Sequence, residues 1–437
     1  MHTTIIVYTP KASPRLQYIL DWLFKEQLKV SYTLTHHETE VIQLPFFVSY
    51  GAAFHNALSI PDMGLLWEQS IAVHDIQIGN WKGLPTLYAG NKNAYMVPFD
   101  LLSAIFFLLS RYEEHYSYTP DKHGRYPATE SILYKEGWLQ EPIVDQWVQS
   151  FREMLINKYQ IPINTPLFSF QPTYDIDIAF SYLHKGLKRT VGGYLRDIVA
   201  GRWGKISERK SVLSKKQPDP YDSFQYLQQL HAETGYQPIY FILAASSTSE
   251  FDKNISPTHP AMQTLVRQMG NEGKLGIHPS YFTAREKGLF LKEKTVLERI
   301  AGKEITQSRQ HFIKFVIPKT PIKLIKKGIK DDYSLGYGSH LGFRAGTGQS
   351  FRWYDIGYET ISPIRIHPFC FMDTTAKYEM GLSVIDAFTQ LDLMKRSLQR
   401  ANSQLVTIFH NFSLGTDPEW KGWAEAYTDF VKGIPIS

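Results

Sequence analysis

Apolar and polar positions set out the elements before any chemistry is considered. "TTIIVYT" reads as a strand, and "SPRLQYILDWLFKEQ" repeats apolar residues at helical spacing from Ser13, so the chain opens β-α. Between residues 45 and 98 come short strand-like runs broken by Gly, Pro and Asn. Helical segments are expected over 99 to 116 and 144 to 159. Within the first, "LLSAIFFLL" (101 to 109) is far short of the ~20 residues that span a bilayer and reads as a buried helix N-capped by Asp100. "INKYQIPINTPLF" has two prolines and no helical period, which places a domain boundary near 160 to 166. Beyond it the strands "LFSFQPTYDI", "QPIYFIL", "KLGIHPS", "HFIKFVI", "IRIHPF" and "LVTIFHN" alternate with helices such as "DSFQYLQQLHAETG", "PAMQTLVRQMGNEG" and "SVIDAFTQLDLMKRSLQRA". Such alternation predicts a parallel sheet, and this many units suggests a (β/α) barrel over 166 to 437, preceded by a smaller α/β domain over 1 to 165.

Composition narrows the class. The chain has 437 residues, 43% hydrophobic and 20% charged, as expected of a globular enzyme. The single cysteine, Cys370, excludes an intramolecular disulfide and a cysteine-based zinc site. "MHTTIIVYTPKASP" lacks a basic stretch followed by an apolar one, so no signal peptide is expected and the cytoplasm is the expected location. Charge is concentrated: residues 185 to 216 hold ten Lys/Arg and two Asp/Glu, leaving 37 basic against 40 acidic residues elsewhere. This segment can form short amphipathic helices with Leu187, Val191, Tyr194, Leu195 and Ile198 on one side. Such a stretch suits contact with an anionic membrane surface or an acidic substrate, and a solvated insertion reads equally well. No groove-reading motif accompanies it, so no nucleic-acid partner is expected.

Chemistry in a (β/α) barrel sits where strands end. "TYDID" puts Asp175 and Asp177 at positions i and i+2 of a strand, so both carboxylates leave the same face. Other strands end at His278 in "GIHPS", near Arg309 and His311 in "SRQHF", and at His410 in "IFHN". A lone histidine at a strand end is usually just hydrogen-bonded. A carboxylate with two imidazoles suits a catalytic divalent metal with an open position, and a second carboxylate and a further His would serve as base and acid.

These stretches, in this order over about 168 to 430, resemble the polysaccharide deacetylases of carbohydrate esterase family four. "TYDID" looks like the family's first motif, "GIHPSY" like its histidine motif, "SRQHF" like the arginine motif and "LVTIFHN" like the strand of the general-acid His. The resemblance implies a distorted (β/α) barrel and metal-dependent removal of N-acetyl groups from a carbohydrate, polymeric or lipid-linked. It implies Asp175 as base and His410 as acid, with a divalent metal on Asp177, His278 and His311. Zn²⁺ is the first expectation, with Mn²⁺ or Co²⁺ also compatible. Arg309 and Arg344 both offer the arginine that holds the base, and Asp373 and Ser280 are candidates for substrate contact. The chain departs from the family in two places: Ile176 separates the usually adjacent aspartates, and no second His follows His278 within one turn. The alternative is a non-catalytic carbohydrate-binding or assembly protein on a degenerate barrel. Elsewhere, His36 and His37 read as solvated, and "RYEEHY" lacks the i, i+4 histidine pair of a metalloprotease helix.

Overall fold

The computed structural model describes residues 4–90 and 94–435. β1 (Thr4–Tyr8) leads into α1 (Pro14–Leu20), where Ser13 caps the helix by accepting from the Leu16 N–H. β2 (Ser31–Thr35), β3 (Phe47–Tyr50) and β4 (Ala57–Ile60) complete a parallel sheet in the order β2-β1-β3-β4. An antiparallel pair, β5 (Gly79–Trp81) and β6 (Leu84–Thr86), follows. α2 (Leu101–Leu109) is buried along its whole length, with Asp100 Oδ1 accepting from the Ser103 N–H at 2.9 Å as its cap. The short α3 (Ile132–Lys135) and the long α4 (Ile143–Tyr159) carry the chain to residue 160.

The second sheet begins with β7 (Ser169–Ile176). A helical pair, α5 (Gly186–Val199) and α6 (Trp203–Leu213), interrupts the crossover before α7 (Phe224–Thr234). Then come β8 (Ile239–Leu243), α8 (Pro260–Glu272), β9 (Lys274–His278) and α9 (Leu289–Ala301). β10 (Gln307–Ser308), α10 (Lys319–Ile325) and β11 (Asp331–Asp332) continue the winding. After β12 (Phe351–Asp355), β13 (Thr360–Ile366) and β14 (Phe371–Met372), the chain closes with α11 (Val384–Arg400), β15 (Gln404–His410) and α12 (Trp423–Lys432). The strand order is β12-β13-β11-β10-β9-β8-β7-β15-β14, parallel throughout except for β12 against β13. The expected α/β class and distorted barrel are borne out as a curled half-barrel, open between its two edge strands.

The period of two along each strand sorts residues between two environments. Ile239, Phe241, Val406 and Ile408 face inward and pack together with Tyr333, Phe369 and Met372. Their neighbours Tyr240, Ile242, Leu405 and Phe409 face outward into a core that also contains α2, α4 and the N-terminal sheet. Register pairs Asp175 with both His410 and Phe241, and His278 with Leu243. Asp175 and His410 therefore top the same inward-facing rows as these apolar residues. Gly276 sits opposite Phe241, where any Cβ would overlap the aromatic ring, so glycine is what allows that ring to lie flat inside the sheet.

"HFIKFVI" was expected to be a strand and is not one. Pairing ends with the Arg309 N–H on Ile277 O, Gln310 N–H turns to Ser334 Oγ, and positive φ at Phe312 (57°) and Ile313 (53°) bends the chain away from the sheet. His311, just before this bend, is buried. "IRIHPF" is the second arm of an antiparallel hairpin whose first arm, β12, the periodicity did not reveal.

Candidate metal centre and its cavity

Asp177 lies one residue past β7, at the centre of the site. Its Oδ1 is 3.1 Å from His278 Nε2, and its Oδ2 is 3.3 Å from His311 Nε2 and 3.5 Å from His410 Nε2. The outer nitrogens fix the tautomers. His278 Nδ1–H donates to the Arg309 carbonyl at 2.8 Å, and His311 Nδ1–H donates to Asp252 Oδ1 at 3.0 Å. In the neutral rings each Nε2 then turns a lone pair towards an acceptor-only carboxylate, which has no proton to offer it. Such a set is satisfied by a cation, either a proton or a metal ion. Asp177 Oδ1 is buried without a hydrogen-bond partner, which fits the same reading.

Electrostatics bears this out. Burial works to raise the Asp177 pKa, yet His311 and His278 hold it well below the carboxylate range. Burial pulls His311 down, but Asp177 and Asp252 together lift it to about 9. One donor atom from each of Asp177, His278 and His311 lies within 4.8 Å of the other two. Among the described residues no other trio of this kind occurs. Two nitrogens and an oxygen suit a borderline divalent ion such as Zn²⁺, and the Asp252–His311 pair is the outer carboxylate–histidine contact that commonly orients a metal-bound imidazole.

Two further pairs flank the trio. Asp175 Oδ1 accepts from Arg309 Nη1 at 2.9 Å, while the same nitrogen donates to Thr173 Oγ1 and Arg309 Nε donates to the Tyr333 carbonyl. The guanidinium lies 4.3 Å over the Phe241 ring that Gly276 admits. Asp175 Oδ2 faces His278 Nε2 at 3.8 Å, and the carboxylate borders the cavity. On the opposite wall His410 Nδ1–H donates to Asp373 Oδ1 at 2.7 Å, and the His410 backbone N–H donates to Asp373 Oδ2 at 2.7 Å. Burial would lower the His410 pKa, but Asp373 and Asp177 raise it well above the usual imidazole value, so the ring holds its proton at neutral pH.

A cavity of about 550 Å³ opens over these groups. Asp175, Asp177, His278, His311 and His410 all line it, with Tyr221, Phe251, Phe312, Tyr378 and Phe412 forming aromatic walls. Lys122, His123 and Arg125 reach it from the N-terminal part of the chain, anchored by His123 Nδ1 on the Tyr281 hydroxyl and Arg125 Nη1 on the Phe312 carbonyl.

Three expected site residues lie elsewhere. Arg344 is buried against Glu114, with Nη2 2.6 Å from Oε2 and Nε 2.8 Å from Oε1, and Arg309 takes the position beside Asp175. Ser280 donates to Glu293 and does not border the cavity, because the turn after His278 is pinned to α9. Asp373 is fully buried behind His410, so it contacts the imidazole and not the cavity. Asp252 was missed altogether. It lies in a loop after β8, where no strand period marks it.

Residues 5–160 match a family described as a family of unknown function (DUF7033). No curated protein matches the chain. Among solved structures, one assigned as a polysaccharide deacetylase from Mycobacterium smegmatis is similar at 14% identity and a TM-score of 0.40, over 62% of this chain and 84% of that one. A polysaccharide deacetylase from Bacillus cereus is similar at 11% identity and a TM-score of 0.31, over 60% and 87%. The catalytic domain of a peptidoglycan N-acetylglucosamine deacetylase from Eubacterium rectale is similar at 9% and 0.31, over 63% and 91%. These are likenesses at low identity and low TM-score, and the site's own geometry carries the chemistry.

Proposed function

We propose that the protein is a metal-dependent hydrolase that removes N-acetyl groups from a carbohydrate. The observation that carries this reading is the Asp177–His278–His311 trio set between an arginine-held carboxylate and a carboxylate-held imidazolium around one cavity. The order of the motifs along the chain favours the same chemistry, and the aromatic walls suit the apolar faces of sugar rings.

When bound by Asp177, His278 and His311, a divalent ion supplies Lewis acidity and lowers the pKa of water. Asp175, oriented by its hydrogen bond from Arg309, accepts the proton of the water that attacks the acetyl carbonyl. His410 carries its proton on Nε2, towards the cavity, because Nδ1–H is committed to Asp373. It delivers that proton to the departing nitrogen as the C–N bond breaks, leaving acetate and an amino sugar. Arg309 and Asp373 act through Asp175 and His410 and are positioning residues.

The test is acetate release from N-acetylated oligosaccharides by wild type, Asp175→Asn and His410→Ala. Each substitution is expected to lower the rate by about 100-fold or more while leaving metal binding intact. A metal-loaded wild type that binds such sugars but releases no acetate from any of them would favour the carbohydrate-binding alternative.

A further inference from the structure

The α5–α6 hairpin is built with its polar side inward. α5 has one buried residue, and it is Asp197. Asp197 Oδ2 meets Arg209 Nη2 of α6 at 2.6 Å, and Arg209 rests against Gly193, where a side chain would collide with the guanidinium. The opposite face of α5 carries Leu187, Val191, Leu195 and Ile198 at i, i+4, i+8 and i+11, all exposed. Val199 (89% exposed) and Trp203 (68%) extend the stripe into the turn and the start of α6. A helix on a water-facing surface shows the reverse arrangement.

The charges around the stripe have one sign. Lys188 and Lys210 are exposed beside it, seven residues from Leu195 and Trp203 on the same helical faces, while Arg196 and Arg202 are exposed but reach back to Asp197 at 3.8 and 3.4 Å. Both acids of residues 185–216 are taken up within the fold, Asp197 by Arg209 and Glu208 by Lys205 at 3.1 Å and the Tyr182 hydroxyl at 2.5 Å. The outward face is therefore apolar side chains bordered by cations. At fourteen residues α5 is about 21 Å long, enough to lie in a lipid interface and too short to cross one. Among the described residues no helix is long and apolar enough to cross a membrane.

We propose that the α5–α6 hairpin docks the protein on an anionic lipid bilayer, with the Leu187–Val191–Leu195–Ile198 stripe and Trp203 at the acyl-chain boundary and the flanking Lys and Arg among the headgroups. Apolar insertion and attraction to anionic lipid act together in such an element. The hairpin leaves the sheet directly after β7, and the basic cleft beneath it shares Ile178, Tyr221 and Lys253 with the cavity wall. If the hydrolase reading above holds, docking brings that cavity to carbohydrate carried at the bilayer surface.

Cosedimentation of the full chain with phosphatidylcholine vesicles, with and without phosphatidylglycerol, tests this. Wild type is expected to pellet with the phosphatidylglycerol vesicles, to stay largely in solution with phosphatidylcholine alone, and to be released as salt is raised. Leu195→Ser/Ile198→Ser and Lys188→Glu/Lys210→Glu are each expected to bind about tenfold or more weakly. These positions are exposed, so circular dichroism of both variants should match wild type. Wild type that ignores both kinds of vesicle, or variants that bind as wild type does, would overturn the proposal. So would self-association that Leu195→Ser/Ile198→Ser abolishes, since the stripe would then belong to a second copy. Asp177→Ala should still bind vesicles, so failure here is distinguishable from failure of the hydrolase reading.

Discussion

Each ring nitrogen around Asp177 is assigned by the group behind it, and the outer carboxylates are where single substitutions speak most clearly. Asp252→Asn keeps the shape but weakens the acceptor for His311 Nδ1–H, and zinc affinity measured by competition with a chromophoric chelator should fall 10–100-fold. Asp373 acts on protonation. The folded protein holds the His410 pKa above its usual value, so the acid form persists through neutral pH and is lost only as pH rises through the elevated pKa. The stability that this pairing contributes has the same window: present in full below the ordinary imidazole value of about 6.5 and lost above the raised one. Asp373→Asn removes the larger raising influence, so the alkaline limb of the pH–rate profile should move to lower pH. An unmoved limb would assign that limb to another group. Asp175, Asp177, His278 and His410 could be read from the sequence because a strand shows its faces with a period of two and these four end strands. Asp252 could not, because a loop carboxylate acquires its role only when the loop packs against His311.

Single strands and turns set how these residues converge. Whereas the shorter α10 and α12 were not read as helices, α7, α8 and α11 were legible because each buries an apolar face at helical spacing. β10 and the turn after it were not. Two paired residues give too short a pattern, and the bend at Phe312 and Ile313 depends on contacts that Gln310 makes with Ser334 on the neighbouring segment. The choice between Arg309 and Arg344 likewise rests on tertiary partners, since both arginines are fully buried and only their carboxylates, Asp175 and Glu114, tell them apart. Gly276 tests how tightly β9 and β8 are fitted. Gly276→Ala would press a methyl into Phe241, and urea unfolding should show a loss of about 1–3 kcal/mol. Because Arg309 lies over that ring, the rate with acetylated substrate should fall as well.

Across the whole molecule, one apolar core joins the N-terminal sheet to the outer face of the half-barrel, and buried charges fasten the two parts. Glu114 is buried between Arg111 and Arg344, and Arg15 meets Glu359 at 2.7 Å. Burial works to raise the Glu114 pKa, and the two guanidiniums outweigh it and hold the carboxylate ionised. Glu114→Gln leaves the buried Arg344 without its carboxylate, while Arg111 keeps Glu113 at 2.7 Å, and should cost about 3–5 kcal/mol in denaturant unfolding. Neither the Glu114–Arg344 nor the Arg15–Glu359 pair could be read from the sequence, since their partners lie 230 and 344 positions apart. The most direct test of the metal centre is elemental analysis of protein purified without chelators, as wild type, Asp177→Ala, His278→Ala and His311→Ala. About one equivalent of divalent metal in wild type, lost in all three variants, is the expected result. Wild type that takes up no Zn²⁺, Mn²⁺ or Co²⁺, or that keeps its metal without His311, would contradict it.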